Sequence, residues 1–156
     1  MDKDLLITYN GIQYQPSIYR YEVHDEDYEL LKSAGLPTYK KPLYSLALVL
    51  TDPKTGEDFP VTVSFGNLIG AKNYTYFDVN NCPGIVDALV DAGVISLPVL
   101  TMRSGFVEYP LCSFTDEFIN TFGGAEYEAY SKAYDDYMRE VHFQDEPEVK
   151  SKEDGR

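Results

Sequence analysis

Cys82-Pro83 is where this sequence comes nearest to a reactive group. Asn80-Asn81-Cys82-Pro83 stands directly before an apolar-periodic run. The pattern predicts a helix start near Pro83, with Asn80 or Asn81 as its cap. A thiol at a helix N-terminus has its thiolate favoured by the helix dipole. A nucleophile also needs a base. The sequence has two histidines, His24 and His142, and both are far from Cys82. The expected role of Cys82 is therefore a small cap or packing residue. Metal chemistry would draw on His24, Cys82, Cys112 and His142, which stand 58, 30 and 30 residues apart. Zinc modules need much shorter spacings. Asp52 to Asp58 has Lys54 where a calcium loop needs an oxygen ligand, and it lacks the closing Glu. Gly66 to Lys72 has three residues between its glycines, and Ala71 separates Gly70 from Lys72. A phosphate loop has four residues there, and its Lys follows the second glycine directly. Ser104-Gly105 reads as a turn rather than a nucleophile. No catalytic residue, metal or cofactor is expected.

The remaining chemistry is that of surfaces. Tyr127, Tyr130, Tyr134, Tyr137, Met138 and Val141 fall within about 100° of one helix circumference. Packing on a sheet is the ordinary role of such a stripe. Tyrosine is also common in interfaces, so self-association through the stripe is a second expectation. Glu128 and Asp135 share one row on the same helix, and Asp136 and Glu140 share another. Both rows are expected to face solvent.

These groups need elements to hold them. Leu5 to Tyr9 and Ile12 to Val23 read as strands joined at Asn10-Gly11, the strongest short hairpin signal. A change of apolar parity around Pro16 predicts a bulge or break there. Residues 25–34 read as a short acidic helix. Residues 43–51 read as a central strand covered on both faces. Residues 59–65 alternate, with Phe59, Val61, Val63 and Phe65 inward and Pro60, Thr62 and Ser64 outward. Residues 74–79 form another strand. A helix follows with Ile85, Val86, Leu89 and Val90 on one face, stopping at Gly93. Residues 106–114 form a last strand, placed at an edge by Pro110. A helix starting at Thr115 breaks at Gly123-Gly124, and the longest helix runs over 126–143. Residues 144–156 are expected to be disordered. The fold class is α+β, an antiparallel and mostly hairpin-connected sheet of five to six strands with two to three helices. One domain, residues 1–143, carries it all.

Two stretches carry a resemblance. Phe77-Asp-Val-Asn-Asn-Cys-Pro83 and Ser104-Gly-Phe-Val-Glu-Tyr-Pro-Leu-Cys-Ser-Phe114 resemble a family of small proteins with a domain of unknown function. Its members are carried on mobile elements of Gram-positive anaerobes. The resemblance spans about residues 60–130. It implies an accessory role in the cargo of such an element and assigns no catalytic residue.

Charge bounds the partner. The chain has 156 residues, 13 Lys and Arg against 26 Asp and Glu, and a formal charge of −13. Such a protein repels nucleic-acid phosphates and anionic lipid, and it attracts basic proteins. More than half of the excess, −7, lies in residues 115–156. No run of about 18 apolar residues exists, so no membrane helix is expected. The acidic start, Met1-Asp2-Lys3-Asp4, does not resemble a secretory signal. A cytoplasmic location and two free thiols are the expectation. These features together predict a non-catalytic acidic protein that binds a basic surface of a host defence or DNA-processing protein. Glu128, Asp135, Asp136 and Glu140 are the candidate contacts. A small structural or oligomerising module is the alternative, and a Cys82-dependent enzyme a more distant one.

Overall fold

Asn10 and Gly11 both take positive φ, 52° and 79°. This is the type I′ geometry whose twist matches two antiparallel strands. The turn joins β1 (Ile7–Tyr9) to β2 (Ile12–Glu22), with Tyr9 opposite Ile12 and Ile7 opposite Tyr14. The computed structural model describes residues 1–22, 33–34, 44–64 and 71–145, with side chains as far as Arg139. The acidic helix expected at 25–34 lies outside the described residues, except for its last two.

β2 runs unbroken through Pro16, contrary to the expected bulge. Its buried residues keep one parity, Tyr14, Pro16 and Ile18, while Tyr19 is exposed. Pro16 is tolerated because pairing with β1 ends at Tyr14, so one edge of β2 has no ladder partner there. β3 (Tyr44–Thr51) lies along β2 from Glu22 opposite Tyr44 to Gln15 opposite Thr51. A polar turn leads to β4 (Asp58–Pro60), which pairs with Thr51 to Val49. The sheet order is β1-β2-β3-β4, so β3 is interior as expected. Leu46, Leu48 and Leu50 are fully buried on one face, and Ala47 is buried on the other.

After Pro60 the chain changes sheets. β5 (Thr62–Val63) pairs with β6 (Tyr74–Phe77), and β6 pairs with β8 (Val107–Ser113). β7 (Leu100–Ser104), a strand the sequence pattern did not reveal, closes the order β5-β6-β8-β7. β8 is therefore interior, not the edge that Pro110 suggested. Pro110 sits just before the run that pairs with β6, Leu111 to Ser113. Both prolines lie where a neighbouring strand has ended or has not begun. The fold is thus α+β, with eight strands in two four-stranded antiparallel sheets among the described residues.

Three helices with described ranges complete it: α1 (Ile85–Asp91), α2 (Asp116–Phe122) and α3 (Gly124–Asp145), the last the longest of them. α1 packs on β1, α2 touches β2, and α3 lies across β2 and β3. Neither Asn80 nor Asn81 caps α1, which has no side-chain cap bond. Asp78 instead organises the turn. Its carboxylate accepts the Asn81 N–H at 3.1 Å and the Asn81 side-chain amide at 2.8 Å. Gly84 then turns left-handed at φ 80°, a conformation costly to any other residue, and the helix starts after it. Thr115 does cap α2, accepting the Phe118 N–H at 3.2 Å. α3 ends at Asp145, so Gln144 and Asp145 are helical rather than disordered; the rest of the expected tail lies outside the described residues. Phe77, Phe114, Phe118 and Phe122 form a chain of ring contacts, with centroids 6.0, 5.8 and 5.0 Å apart. This chain ties the second sheet to α2.

The link between the sheets rests on two hydroxyls. Val61 N–H bonds the Leu48 carbonyl at 3.0 Å, and the ladder with β4 stops there. Thr62 Oγ1 accepts the Leu48 N–H at 3.2 Å, and Thr75 Oγ1 donates to the Leu46 carbonyl at 2.9 Å. Thr62 was expected to face outward. It is buried because its hydroxyl substitutes for a missing strand partner. Thr62 and Thr75 are the two buried polar residues among those described. Thr62→Val and Thr75→Val keep the shape and strand a buried backbone group. Each is expected to cost about 1–3 kcal/mol in urea unfolding. Thr→Ser at the same sites should recover most of it, and unchanged midpoints for the Val variants would remove the hydroxyls from the account.

Candidate interaction surface

Cys82 sits in the turn that Asp78 organises, two residues ahead of the left-handed Gly84. It is 5% exposed, and its thiol lies 3.9 Å from the Pro60 carbonyl. Burial pushes the thiol pKa up, and the neighbouring Asp78 carboxylate pushes it further. The helix dipole, which would lower it, does not prevail. Cys112 lies fully buried in the core, its pKa pushed up to about 11 by burial. Both cysteines are free. His24 and the His142 side chain lie outside the described residues. Among the described residues no group of three or more His, Cys, Asp or Glu could hold a metal ion.

The tyrosine stripe converges on Asn73, which directly precedes β6 in a left-handed conformation, φ 73°. The Tyr130 hydroxyl accepts the Asn73 N–H at 2.8 Å, and the Tyr127 hydroxyl donates to Asn73 Oδ1 at 2.8 Å. The Asn73 carbonyl takes the Phe114 N–H at 3.0 Å. One residue thus clamps α3, β6 and the end of β8. Tyr130 is buried, and burial holds its hydroxyl well above the ordinary phenol range. Tyr127, Tyr134 and Tyr137 are half-buried. Tyr130 has tilted ring contacts with Tyr127 and Tyr134, at 5.8 and 6.1 Å. Most of the stripe's area is thereby engaged within the fold.

The acidic rows of α3 are largely matched by cations. Lys72 reaches both oxygens of Asp135, the closer at 3.0 Å. Asp136, only 17% exposed in its side chain, bonds Lys132 at 2.8 Å and Arg139 at 3.1 Å. Earlier on the helix, Glu126 binds Arg20 at 3.1 Å, and that guanidinium lies 4.5 Å over the Tyr44 ring. Glu128 is exposed, and the side chain of Glu140 lies outside the described residues. These carboxylates therefore hold α3 in place as much as they charge it.

The unmatched acid gathers elsewhere. The C-terminal end of α1 and the N-terminal end of α2 meet where Thr115 Oγ1 donates to the Gly93 carbonyl at 2.7 Å. The Thr115 N–H bonds the Val94 carbonyl at 3.0 Å. The N-terminal segment joins them, with Met1 beside Gly93 and its carbonyl 3.5 Å from the Thr121 hydroxyl. This brings Asp2, Asp4, Asp87, Asp91, Asp116 and Glu117 to one end of the molecule. All six are exposed, and none has an ion-pair partner among the described residues. Sequence reasoning missed this cluster because its members come from three distant segments. A second surface was also missed: Leu97, Val99, Leu100 and Phe106 are all more than half exposed around the β7–β8 hairpin. Its signal was a Phe in a two-residue turn, a position with nowhere to bury a ring.

Asp87 and Asp91 are a like-charge i, i+4 pair, and Asp91 lies in the last turn of α1, where the dipole disfavours an anion. Asp91→Asn is therefore expected to raise stability by about 0.3–0.5 kcal/mol at low salt, and by less at high salt. Equal or lower stability would show that Asp91 serves the fold. Cys82 should react with a mild alkylating agent at neutral pH far more slowly than a free thiol, because its raised pKa leaves less thiolate. Faster reaction than a free thiol would contradict the geometry. No protein-family model matches the chain, and no curated protein and no solved structure matches it.

Proposed function

We propose that this chain is a non-catalytic cytoplasmic accessory protein that binds a basic surface of another protein. The observation that carries the reading is the acidic end formed by Asp2, Asp4, Asp87, Asp91, Asp116 and Glu117. Lys3 is the only basic side chain in those segments, beside the Met1 ammonium. Asp91, in the last turn of α1, costs the fold stability where it stands, so its placement calls for a purpose outside it, whereas Asp87 sits in the first turn, where the dipole favours it. Asp116 and Glu117 do favour α2, since they sit in its first turn. Against a basic partner all six would add attraction at contact range and speed encounter at long range. No described helix is long and apolar enough to cross a membrane. The resemblance of residues 78–83 and 104–114 to proteins carried on mobile elements supports a host defence or DNA-processing protein as the partner. Glu128 and Glu140 on α3 would extend the attraction, with Asp135 and Asp136 contributing less because cations already hold them.

The test is capture from host extract with three baits. One is the natural chain. The second carries Asn or Gln at Asp2, Asp4, Asp87, Asp91, Asp116 and Glu117. The third carries Asn or Gln at Glu128, Asp135, Asp136 and Glu140. A basic protein is expected on the first and third baits at low salt, and it should fade as salt screens the charges. The second bait should lose it. The same proteins on all three baits at both salt levels would reduce the acidic end to solvated surface.

A further inference from the structure

β7 is the outer strand of the second sheet among the described residues. Natural edge strands are usually protected by a proline, a bulge, an unpaired charge or a covering element. β7 has no proline, and its register runs without interruption from Leu100 opposite Leu111 to Ser104 opposite Val107. Its one charge, Arg103, is met by Glu108 across the hairpin at 3.6 Å. It carries no acidic residue, although the chain is at −13. Around it lie the most exposed apolar side chains described: Leu97 at 70%, Val99 at 59%, Leu100 at 51% and Phe106 wholly exposed.

Their arrangement selects the occupant. Leu97, Val99 and Leu100 stand at the start of β7, and Phe106 stands past its end in the turn to β8. On one chain they are separated by the length of the strand. An antiparallel pairing of β7 with a second β7, centred on Met102, sets Ser104 opposite Leu100 of the second copy. The turn that carries Phe106 then stands level, along the strand direction, with Val99 and Leu97 of that copy, and the same approach is made again across the twofold axis. The apolar start of one β7 and the apolar turn of the other are thus brought to the same end of the joined sheet at both ends, as a self-complementary interface requires. The charges accept this register, because Arg103 falls opposite Thr101 of the second copy and not opposite another charge. A foreign strand would have to supply both apolar groups itself.

We infer that the protein forms a twofold dimer through β7, joining the two four-stranded sheets that end at β7 into one continuous sheet. Its salt dependence opposes that of the basic partner. Two chains of like charge should pair more tightly as salt rises. Sedimentation of the full-length protein should give twice the 17.7 kDa chain mass, with dissociation only on dilution. Phe106→Ser removes a wholly exposed ring, and it should raise the dimer dissociation constant at least about tenfold. Leu100→Lys should leave a monomer, as an unpaired edge charge does. Circular dichroism of both variants at low concentration should match the natural chain. A chain that stays monomeric at every salt and concentration overturns the inference. So does a dimer unaffected by either variant, or a mass that climbs beyond two chains. None of these results touches the acidic end, whose variants should dimerise normally.

Discussion

One central strand serves two sheets, and the rest of the molecule hangs on how it does so. β3 pairs with β2 along its whole length but with β4 only from Val49 to Thr51. Beyond that point Leu48 and Leu46 are fully buried and have lost their strand neighbour. A buried backbone N–H or carbonyl left unpaired costs as much as a hydrogen bond. Thr62 and Thr75 supply the missing partners from the second sheet. Their hydroxyls fix where β5 and β6 stand against β3, and hence where β8 and β7 follow. The apolar core then closes over that joint, with Phe77 beside Thr75 on β6 and Val61 beside Thr62. The position of the exposed β7 edge is therefore set from the middle of the molecule.

Charge follows the same division between use and excess. On α3, three carboxylates have a cation within reach: Glu126 on Arg20, Asp135 on Lys72, Asp136 on Lys132 and Arg139. The Arg20 and Lys72 contacts, with the Asn73 clamp, tie α3 to β2 and to the chain just before β6, while Lys132 and Arg139 lie on α3 itself. Partly exposed pairs of this kind are each worth little, and together they choose an orientation more than they add stability. Six of the described carboxylates without an ion pair lie on the first residues, α1 and the start of α2, away from those cations. Net charge along the sequence pointed to the C-terminal quarter. The folded surface puts much of the unmatched charge elsewhere.

The sequence was legible where local chemistry alone decides the outcome. Asn10-Gly11, the turn after Thr51, the stop at Gly93 and the cap at Thr115 are short-range signals, and each produced the element it predicted. It misled where a residue's role depends on a strand brought in from far away. Pro16 and Pro110 read as breaks or edges, yet both lie inside interior strands at points where only one neighbour is present. Thr62 alternates as an outward residue, and a distant backbone N–H draws it inside. Asn80 and Asn81 have the chemistry of caps, but Asp78 turns the chain first. Of the candidate site, the tyrosine stripe and the rows on α3 could be placed on a helix from the sequence. Their neighbours could not, and neighbours decide whether a carboxylate is neutralised or available.

The acidic charge and the apolar edge also constrain each other. An unprotected strand edge on a neutral protein would recruit any extended chain, including other copies in the wrong register. A charge of −13 opposes approach between copies at distance. At physiological ionic strength that opposition decays over about 8 Å. Inside that range the local residues decide, and β7 offers no carboxylate to repel a second β7. The twofold register keeps Arg103 opposite Thr101 of the second copy, with its own carboxylate partner Glu108 across the hairpin. A chain so charged keeps Phe106 in water while its net charge opposes general adhesion between copies.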